Sequence, residues 1–330
     1  MTHLRKLSAV LAFAAAVSLA GCGAIQSDGS DSGAAADCQR PTGKEIYFDY
    51  PLTSLSVYGD LQRFAEAAAE KRGYTVKYTA DDNDLQKQNT NVQALVTQQV
   101  PAIVSYPLEP TSMEALAKEA RSNCSVFVSY AAPIKNQDAA ILFSGHDSGV
   151  ELGKAALAWA EKQSAPIKVL ILQDRDLAVG AARDDGLNEV FPGAASNIEV
   201  VATQKASDRT EGEQVTREVL QAHPDLNMVL SYNDDSGLGA QQAFVNAGKD
   251  PKDPGIFVGG QDGSKEGLTA VSQGGIYRVS VAVRIKDIGE AVANVPIDIL
   301  QGKKNNGVDV PPVALDVDSP KLSEYLSDYS

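Results

Sequence analysis

Two polar side chains lie where neighbouring predicted strands end, and together they could hold a small molecule that carries hydroxyl groups. Asn233 follows one short apolar run rich in β-forming residues, and Asp262 follows the next such run along the chain. In open α/β sheets, ligands bind at the carboxyl ends of the strands, and amide and carboxylate groups hydrogen-bond to hydroxyls. Asp235 and Ser236 are predicted instead to cap the helix that follows, because short polar side chains satisfy free N–H groups at helix starts. Capping by the whole cluster, without a ligand, is the alternative interpretation.

Tyrosines form a second group of candidates at predicted strand ends. An aromatic face can stack on the C–H face of a sugar ring or on a planar base, while the hydroxyl hydrogen-bonds. The same side chains could instead be partly buried scaffold, and the sequence leaves both interpretations open. The tyrosines in this group are Tyr50, Tyr106, Tyr130 and Tyr232.

The sequence lacks the residue patterns of catalysis, metal binding and nucleic-acid binding. It has no Gly-x-Ser-x-Gly motif, no glycine-rich phosphate loop followed by Lys and Ser or Thr, and no grouping of His with Cys. A formal net charge of −14 and a pI near 4.7 argue against nucleic acid, whose phosphates require a basic surface. We therefore expect neither an enzyme nor a metal or cofactor site.

The N-terminus has the pattern of a bacterial export signal. Arg5 and Lys6 precede an apolar run that is too short to span a bilayer as a helix, which needs ~20 residues. The Leu-Ala-Gly-Cys segment at 19–22 resembles the lipobox, in which cleavage leaves a lipid-modified cysteine first. We expect a signal peptide at 1–21 and lipid on Cys22, then a flexible Ser-, Gly- and Ala-rich tether that ends at residue 43. An ordinary secreted protein that happens to carry Cys22 is the alternative.

Two further cysteines, Cys38 and Cys124, would remain in the exported chain. In an exported protein a pair of thiols favours a disulfide over a nucleophile or a metal ligand. Cys38 precedes the first predicted strand and Cys124 directly precedes the fourth, so both lie at the same end of the predicted sheet. We therefore predict a bond between them.

Predicted strands and helices alternate from residue 44 onward, which indicates parallel, doubly wound α/β sheets. The strands are short apolar runs, and the helices have apolar stripes with helical spacing, as at Leu61, Phe64 and Ala68. The sequence pattern changes near Gly145, and this change divides the predicted strands between two such sheets. The predicted strands cover 45–50, 75–79, 102–105, 126–130, 140–143, 168–172, 199–203, 228–231, 256–258 and 277–283. The predicted helices cover 58–72, 91–99, 111–123, 148–163, 181–191, 209–222, 237–248, 265–273 and 285–301.

Six short segments, in their order and spacing, resemble the substrate-binding proteins of bacterial ABC importers of the ribose-binding type. The segments are 72–76, 91–95, 181–183, 222–225, 233–240 and 259–263. The resemblance extends from about Lys44 to Val317. It implies the periplasmic binding protein type I fold, a clamp of two lobes joined by three crossings that closes by hinge bending. The implied lobes are 44–144 with 284–311, and 145–283 with 312–330.

The resemblance assigns roles to residues on both sides of the implied cleft. Arg183, Asn233 and Asp262 match positions that hold ligand oxygens in relatives, and a charged donor beside a carboxylate gives strong hydrogen bonds to hydroxyls. The first lobe departs from the ribose pattern, because Tyr130 stands where relatives have an ionic pair and Tyr58 alone remains of paired aromatics. These departures argue against ribose itself. Further positions predicted to contact the ligand are Ser129, Val283 and Arg284.

The sequence thus predicts a monomeric, extracytoplasmic binding protein that is held to the membrane only by its lipid. Its expected role is to deliver a monosaccharide or a relative to the permease of an ABC importer, without a cofactor. A nucleoside, a polyol or an autoinducer-type compound is the alternative ligand, and a membrane sensor is the alternative partner. A repressor with the same clamp would need a helix-turn-helix where this chain has the lipobox and tether.

Overall fold

A computed structural model describes residues 39–191 and 197–330, and strands alternate with helices throughout these ranges. The predicted signal peptide, Cys22 and Cys38 lie outside the described residues. Cys124 is disulfide-bonded, and its pairing with Cys38 stays a prediction. Within the described ranges, none of the helices combines the length and the apolar character that a membrane span requires.

The first lobe is a six-stranded parallel sheet with helices on both faces. Its strands are β1 (Glu45–Tyr50), β2 (Thr75–Ala80), β3 (Ala102–Ser105), β4 (Val126–Tyr130), β5 (Ala139–Leu142) and β11 (Gly307–Asp309), in the order β11-β5-β4-β3-β1-β2. Its helices are α1 (Ser56–Glu70), α2 (Leu85–Thr97), α3 (Pro110–Ser122) and α9 (Ile285–Leu300). Successive side chains of a strand face opposite sides, so Val126 and Val128 of β4 pack in the core under α1 and α9, whereas Phe127 packs against α2 and α3.

The second lobe repeats this architecture with one difference at its edge. Its strands are β6 (Ile167–Gln173), β7 (Ile198–Lys205), β8 (Met228–Ser231), β9 (Phe257–Asp262), β10 (Tyr277–Ala282) and β12 (Val313–Asp316), in the order β12-β10-β9-β8-β6-β7. Its helices are α4 (Gly145–Ala160), α5 (Ala178–Val190), α6 (Arg209–Ala222), α7 (Asp234–Asn246), α8 (Lys265–Ser272) and α10 (Leu322–Ser327). The edge strand β12 runs antiparallel to β10, while the other pairs are parallel.

The chain passes between the two sheets three times, after β5, after β10 and after β11. The first and third crossings lie side by side, because the Val310 N–H donates to the Leu142 carbonyl at 2.8 Å. The second crossing remains attached to β9, since the Val283 N–H donates to the Asp262 carbonyl at 3.1 Å. The crossings therefore form a compact hinge directly beneath the strand ends.

The structure differs from the sequence prediction in the number of strands and in several element bounds. The described part of the chain has twelve strands rather than ten, since the short edge strands β11 and β12 were not predicted. Helix α2 begins earlier than expected, because the Asp84 side chain caps it by accepting from the Lys87 N–H at 2.9 Å. Strand β9 extends through Asp262, so that residue belongs to the strand end itself.

Candidate ligand-binding cleft

A small enclosed cavity lies between the carboxyl ends of the two sheets. Its volume is about 40 Å³, room for a few water molecules at roughly 10–15 Å³ each. The side chains that line the cavity must therefore be arranged differently when a ligand as large as a monosaccharide is bound. The cavity is lined by Leu55, Val57, Tyr58, Tyr106, Tyr130, Phe143, Leu177, Val179, Arg183, Tyr232, Asn233, Asp262, Val283 and Ile285.

The charged part of the wall is a buried ion pair between Arg183 of α5 and Asp262 of β9. One terminal guanidinium nitrogen (Nη2) lies 2.7 Å from Asp262 Oδ1, and the other (Nη1) donates to the Tyr232 carbonyl at 2.7 Å. Burial lowers the pKa of Arg183, but the charge of Asp262 and its hydrogen bond raise the pKa above its ordinary value, so the guanidinium stays charged. Its third nitrogen, Nε, is buried and has no hydrogen-bond partner among the described residues. The pair thus retains a donor for an acceptor that enters the cleft.

The position of Arg183 is fixed by direct backbone packing of α5 on α4. A Cβ atom added at Gly149 of α4 would lie 1.9 Å from the Arg183 carbonyl oxygen, and one added at Gly186 would lie 2.0 Å from that of His146. Only glycine permits such an approach at these two positions. Helices α4 and α5 therefore form one unit, and α4 begins at the first crossing.

Asp262 is held in an unfavourable backbone conformation by a buried carboxylate behind it. Its φ is 122°, a backbone angle that residues other than glycine rarely adopt. Asp234 accepts from the N–H groups of Gly263 at 3.1 Å and Ser264 at 2.8 Å, and from the Tyr277 hydroxyl at 2.7 Å. These bonds fix the turn that follows Asp262 and offset the local strain, which is of order 1–3 kcal/mol. Asp234 therefore positions Asp262, a role the sequence did not indicate.

Asn233 is both part of the cavity wall and the cap of α7. Its backbone is extended, and its Oδ1 accepts from the Ser236 N–H at 2.8 Å and from the Ser236 hydroxyl at 2.6 Å. Its Nδ2 donates to the Ser207 carbonyl at 3.0 Å. The predicted assignment of the cap to Asp235 and Ser236 is therefore wrong, because Asn233 has the extended backbone that a cap requires. With both ends of its amide engaged, Asn233 has less capacity for a ligand than Arg183.

Four tyrosines supply most of the aromatic wall: Tyr58, Tyr106 and Tyr130 from the first lobe and Tyr232 from the second. Burial raises the pKa of each hydroxyl above its ordinary value, so all four remain neutral donors. The Tyr106 hydroxyl already accepts from the Val179 N–H across the cleft at 3.2 Å, and Tyr232 donates to a carbonyl of its own lobe. The rings of Tyr106 and Tyr130 lie 6.2 Å apart. Aromatic packing thus dominates the first-lobe side.

Three residues predicted from sequence do not line this cavity. Tyr50 stacks on Tyr58 with a ring separation of 4.8 Å and supports that ring from behind. The Ser129 hydroxyl donates to a backbone carbonyl a few residues along the chain. Arg284 begins the hinge return to the first lobe and pairs with Asp328 in the C-terminal tail at 2.8 Å. These side chains stabilise the surroundings of the cleft.

Several apolar wall residues were not predicted as contacts. Phe143 lies on the first crossing, and Ile285 flanks the second next to Val283, which the sequence did predict. The signal that could have found them is their place at the crossings, which pass beneath the strand ends. The other unpredicted wall residues are Leu55, Val57, Leu177 and Val179.

The first lobe also has carboxylates near its strand ends, but these point into a buried network. Asp49 accepts from Thr79 at 2.7 Å and from Ser105 at 3.2 Å, and the Gln88 amide lies between Asp49 at 3.3 Å and Asp81 at 2.7 Å. Burial raises the pKa of Asp49 to about 7 and that of Asp81 to about 6. Neither side chain lines the cavity.

Fold and cleft together define a two-lobed α/β clamp that encloses a small cavity at its hinge. The periplasmic binding protein domain family matches residues 46–304, and the chain belongs to this family, as the sequence predicted. The ribose import binding protein of Bacillus subtilis is 30% identical over 266 residues, 79% of this chain and 84% of that protein. The xylitol-binding protein of Mycolicibacterium smegmatis is 25% identical over 94% of this chain and 88% of its own length.

The predicted fold class is also confirmed by solved structures. The Caulobacter myo-inositol binding protein, bound to myo-inositol, superposes with a TM-score of 0.75 at 20% identity. The match covers 86% of this chain and 96% of that one. At this identity the likeness establishes the fold and leaves the ligand to the chemistry of the cleft.

Proposed function

We propose that this protein captures a small, neutral, polyhydroxylated compound, a monosaccharide or a polyol, between its lobes. The observation that carries the proposal is the Arg183–Asp262 pair in the cavity wall, with one guanidinium N–H free of partners among the described residues. A carboxylate accepts from hydroxyl groups, and a neighbouring guanidinium donates to their oxygens. Because the pair is internally neutralised, it favours an uncharged ligand over an anion.

The aromatic side of the cleft supports the same ligand class. Tyr58, Tyr106 and Tyr130 present rings that can cover the C–H face of a sugar or cyclitol. The relatives that bind ribose, xylitol and myo-inositol, according to their names, have neutral polyhydroxylated ligands in common. Among the described residues there is no group of His, Cys, Asp and Glu side chains that could hold a metal ion.

A thermal-shift screen tests the proposal directly. Pentoses, hexoses, polyols, cyclitols and nucleosides are each added to the exported form of the protein. A compound at 100 times its Kd adds ~2.7 kcal/mol to the free energy of unfolding, which raises the melting temperature by several degrees. We expect one or more neutral polyols or sugars to do so. A panel in which only nucleosides shift the melting temperature contradicts the proposal.

We further propose that the exported chain begins at a lipid-modified Cys22 and delivers its ligand to the permease of an ABC importer. The Leu-Ala-Gly-Cys segment supports the anchor, and family membership supports the importer. The Cys22→Ser variant should appear in the aqueous fraction of a detergent phase separation, whereas the wild type should enter the detergent phase. A variant that still enters the detergent phase shows that the anchor lies elsewhere.

A further inference from the structure

The first helix of the first lobe is capped by a side chain of the second lobe. Helix α1 begins after Leu55, which makes no side-chain cap hydrogen bond. The N–H of Ser56 donates instead to Asp235 Oδ2 at 2.9 Å, and the Ser56 hydroxyl donates to the same oxygen at 2.9 Å. Asp235 lies in the first turn of α7, on the opposite side of the cleft, and is 5% exposed. A carboxylate at a helix N-terminus also interacts favourably with the helix dipole.

The second lobe holds this carboxylate in place. Asp235 Oδ1 lies 3.3 Å from an Arg209 guanidinium nitrogen, and Arg209 also pairs with Glu266 of α8. Asp235 is thus anchored in its own lobe through one oxygen while the other reaches across the cleft.

A second acid supports the contact from the other side. Asp60 lies one turn further along α1. Burial raises the pKa of its carboxyl overall, whereas the Lys265 N–H at the start of α8 acts in the opposite direction and lowers that pKa. Asp60 of the first lobe and Asp235 of the second thus both lie near the start of a helix in the other lobe.

The contact adjoins the cavity without being part of it. Leu55, Val57 and Tyr58 surround Ser56 in sequence and line the cavity, whereas Ser56 and Asp235 do not. When the lobes separate, α1 loses its cap, and a helix start without a cap is less stable. Closure and the order of the segment that carries Tyr58 are thereby linked.

We propose that Asp235 is a positioning residue that caps α1 across the cleft, stabilises the closed arrangement of the lobes and orders the Tyr58 segment without contacting the ligand. This inference rests on the proposed function, since it concerns how tightly the clamp holds a bound polyol. Affinity falls in proportion to the fraction of molecules in the binding-competent state. Loss of the cap should therefore appear mainly as faster ligand dissociation.

Two variants remove the contact from opposite sides. Asp235→Ala removes the acceptor. Ser56→Pro removes both donors and is compatible with α1, because proline is favoured at the first helical position and Leu55 already has an extended backbone. Asp208→Ala is the matched control, since Asp208 caps α6 within its own lobe by accepting from the Glu211 N–H at 3.0 Å.

Dissociation rates are measured by stopped flow with D-ribose, xylitol and myo-inositol as probes. We expect about fivefold faster dissociation in Asp235→Ala and in Ser56→Pro, no further increase in the double variant, and the wild-type rate in Asp208→Ala. Small-angle scattering of the protein without probe should give a larger radius of gyration for the two cleft variants than for the control. Wild-type dissociation rates, or rate increases that multiply in the double variant, overturn the inference.

The two proposals can fail separately. If the wild type binds none of the three probes and no compound of the screen, the proposed function fails, while scattering still tests the cap. If the wild type binds a probe and the variants release it at the wild-type rate, the cap fails and the proposed function stands.

Discussion

Both lobes place a carboxylate near the carboxyl end of an interior strand, Asp49 on β1 in the first lobe and Asp262 on β9 in the second. In the second lobe the carboxylate faces the cavity and pairs with Arg183. In the first lobe it faces inward, where hydroxyls and the Gln88 amide surround it, and tyrosines take its place in the wall. The strand that takes the place of β9 in the first sheet is β4, and it ends in Tyr130 where β9 ends in Asp262. The polar groups that could bind ligand hydroxyls are concentrated in the second lobe, and the aromatic rings of the first lobe define the shape of the cavity.

The comparison predicts that the largest losses of affinity come from the ion pair. Arg183→Ala and Asp262→Ala should each weaken binding of the best compound in the screen by ~2–5 kcal/mol, because the remaining partner is left buried and unpaired. That is at least a tenfold increase in Kd, measured by titration calorimetry. Arg175→Ala is the control, since Arg175 is half-exposed, pairs with Asp185 at 2.9 Å and lies outside the cavity wall. Wild-type affinity in both ion-pair variants would mean that the ligand binds elsewhere.

The inward-facing acid of the first lobe should affect stability rather than binding. The pKa of Asp49 is raised by burial from 3.8 to about 7, so the folded protein keeps a proton that the unfolded chain releases near pH 4. The folded state then binds more protons between these values, and stability is lost as the pH rises from about 4 to 7. The loss assigned to Asp49 is on the order of 2–4 kcal/mol.

Urea unfolding at several pH values checks this assignment. Asp49→Asn should reduce the dependence on pH without abolishing it, because burial also raises the pKa of Asp81 to about 6 and that of Asp234 to about 7. Asp318→Asn, which changes an exposed acid, should leave the dependence unchanged. A wild-type slope in Asp49→Asn would show that another group takes up the proton.

The smallest predicted effect concerns the aromatic wall. Tyr130→Ala should cost ~1 kcal/mol of binding, about fivefold in Kd, because it removes one ring face. Tyr130→Phe keeps the face and should bind almost as tightly as the wild type. If Tyr130→Ala weakens binding more than Asp262→Ala in the same calorimetric titration, the division of roles between the lobes is reversed.

The alternation of apolar runs and helical stripes was sufficient to predict the fold class. Strand β4 and helix α6, for example, have the predicted bounds. Strands β11 and β12 were missed because they are short and only partly buried, whereas the equally short β3 and β8 are fully buried. Strands β11 and β12 are stabilised by pairing with β5 and β10. Short edge strands form by pairing with strands that are distant in the sequence, and local composition does not predict such pairing.

The sequence placed Arg183, Asn233 and Asp262 in one site, and the structure brings all three to the cavity wall. It could not decide which polar residue caps α7, since that depends on the extended backbone of Asn233. It also could not show that Asp235 reaches Ser56, 179 positions earlier, because that contact exists only when two separately folded lobes meet. The place of Arg183, Asn233 and Asp262 in a binding site stays a prediction, and tertiary contacts determine how each side chain is oriented in the wall.

The glycine contact between α4 and α5 bears on how such a clamp can acquire a new ligand. Gly149 and Gly186 admit no side chain, so the guanidinium of Arg183 is tied to the start of α4 and moves with the hinge. The rings of Tyr58 and Tyr130 instead pack on other rings, Tyr50 at 4.8 Å and Phe48 at 5.3 Å, and exchanges of side chains that conserve volume are tolerated best. Selection or laboratory evolution for a different polyol should therefore accumulate substitutions in the first-lobe wall. The two glycines and the ion pair should be retained, so that each new ligand shape is accommodated by the first lobe alone.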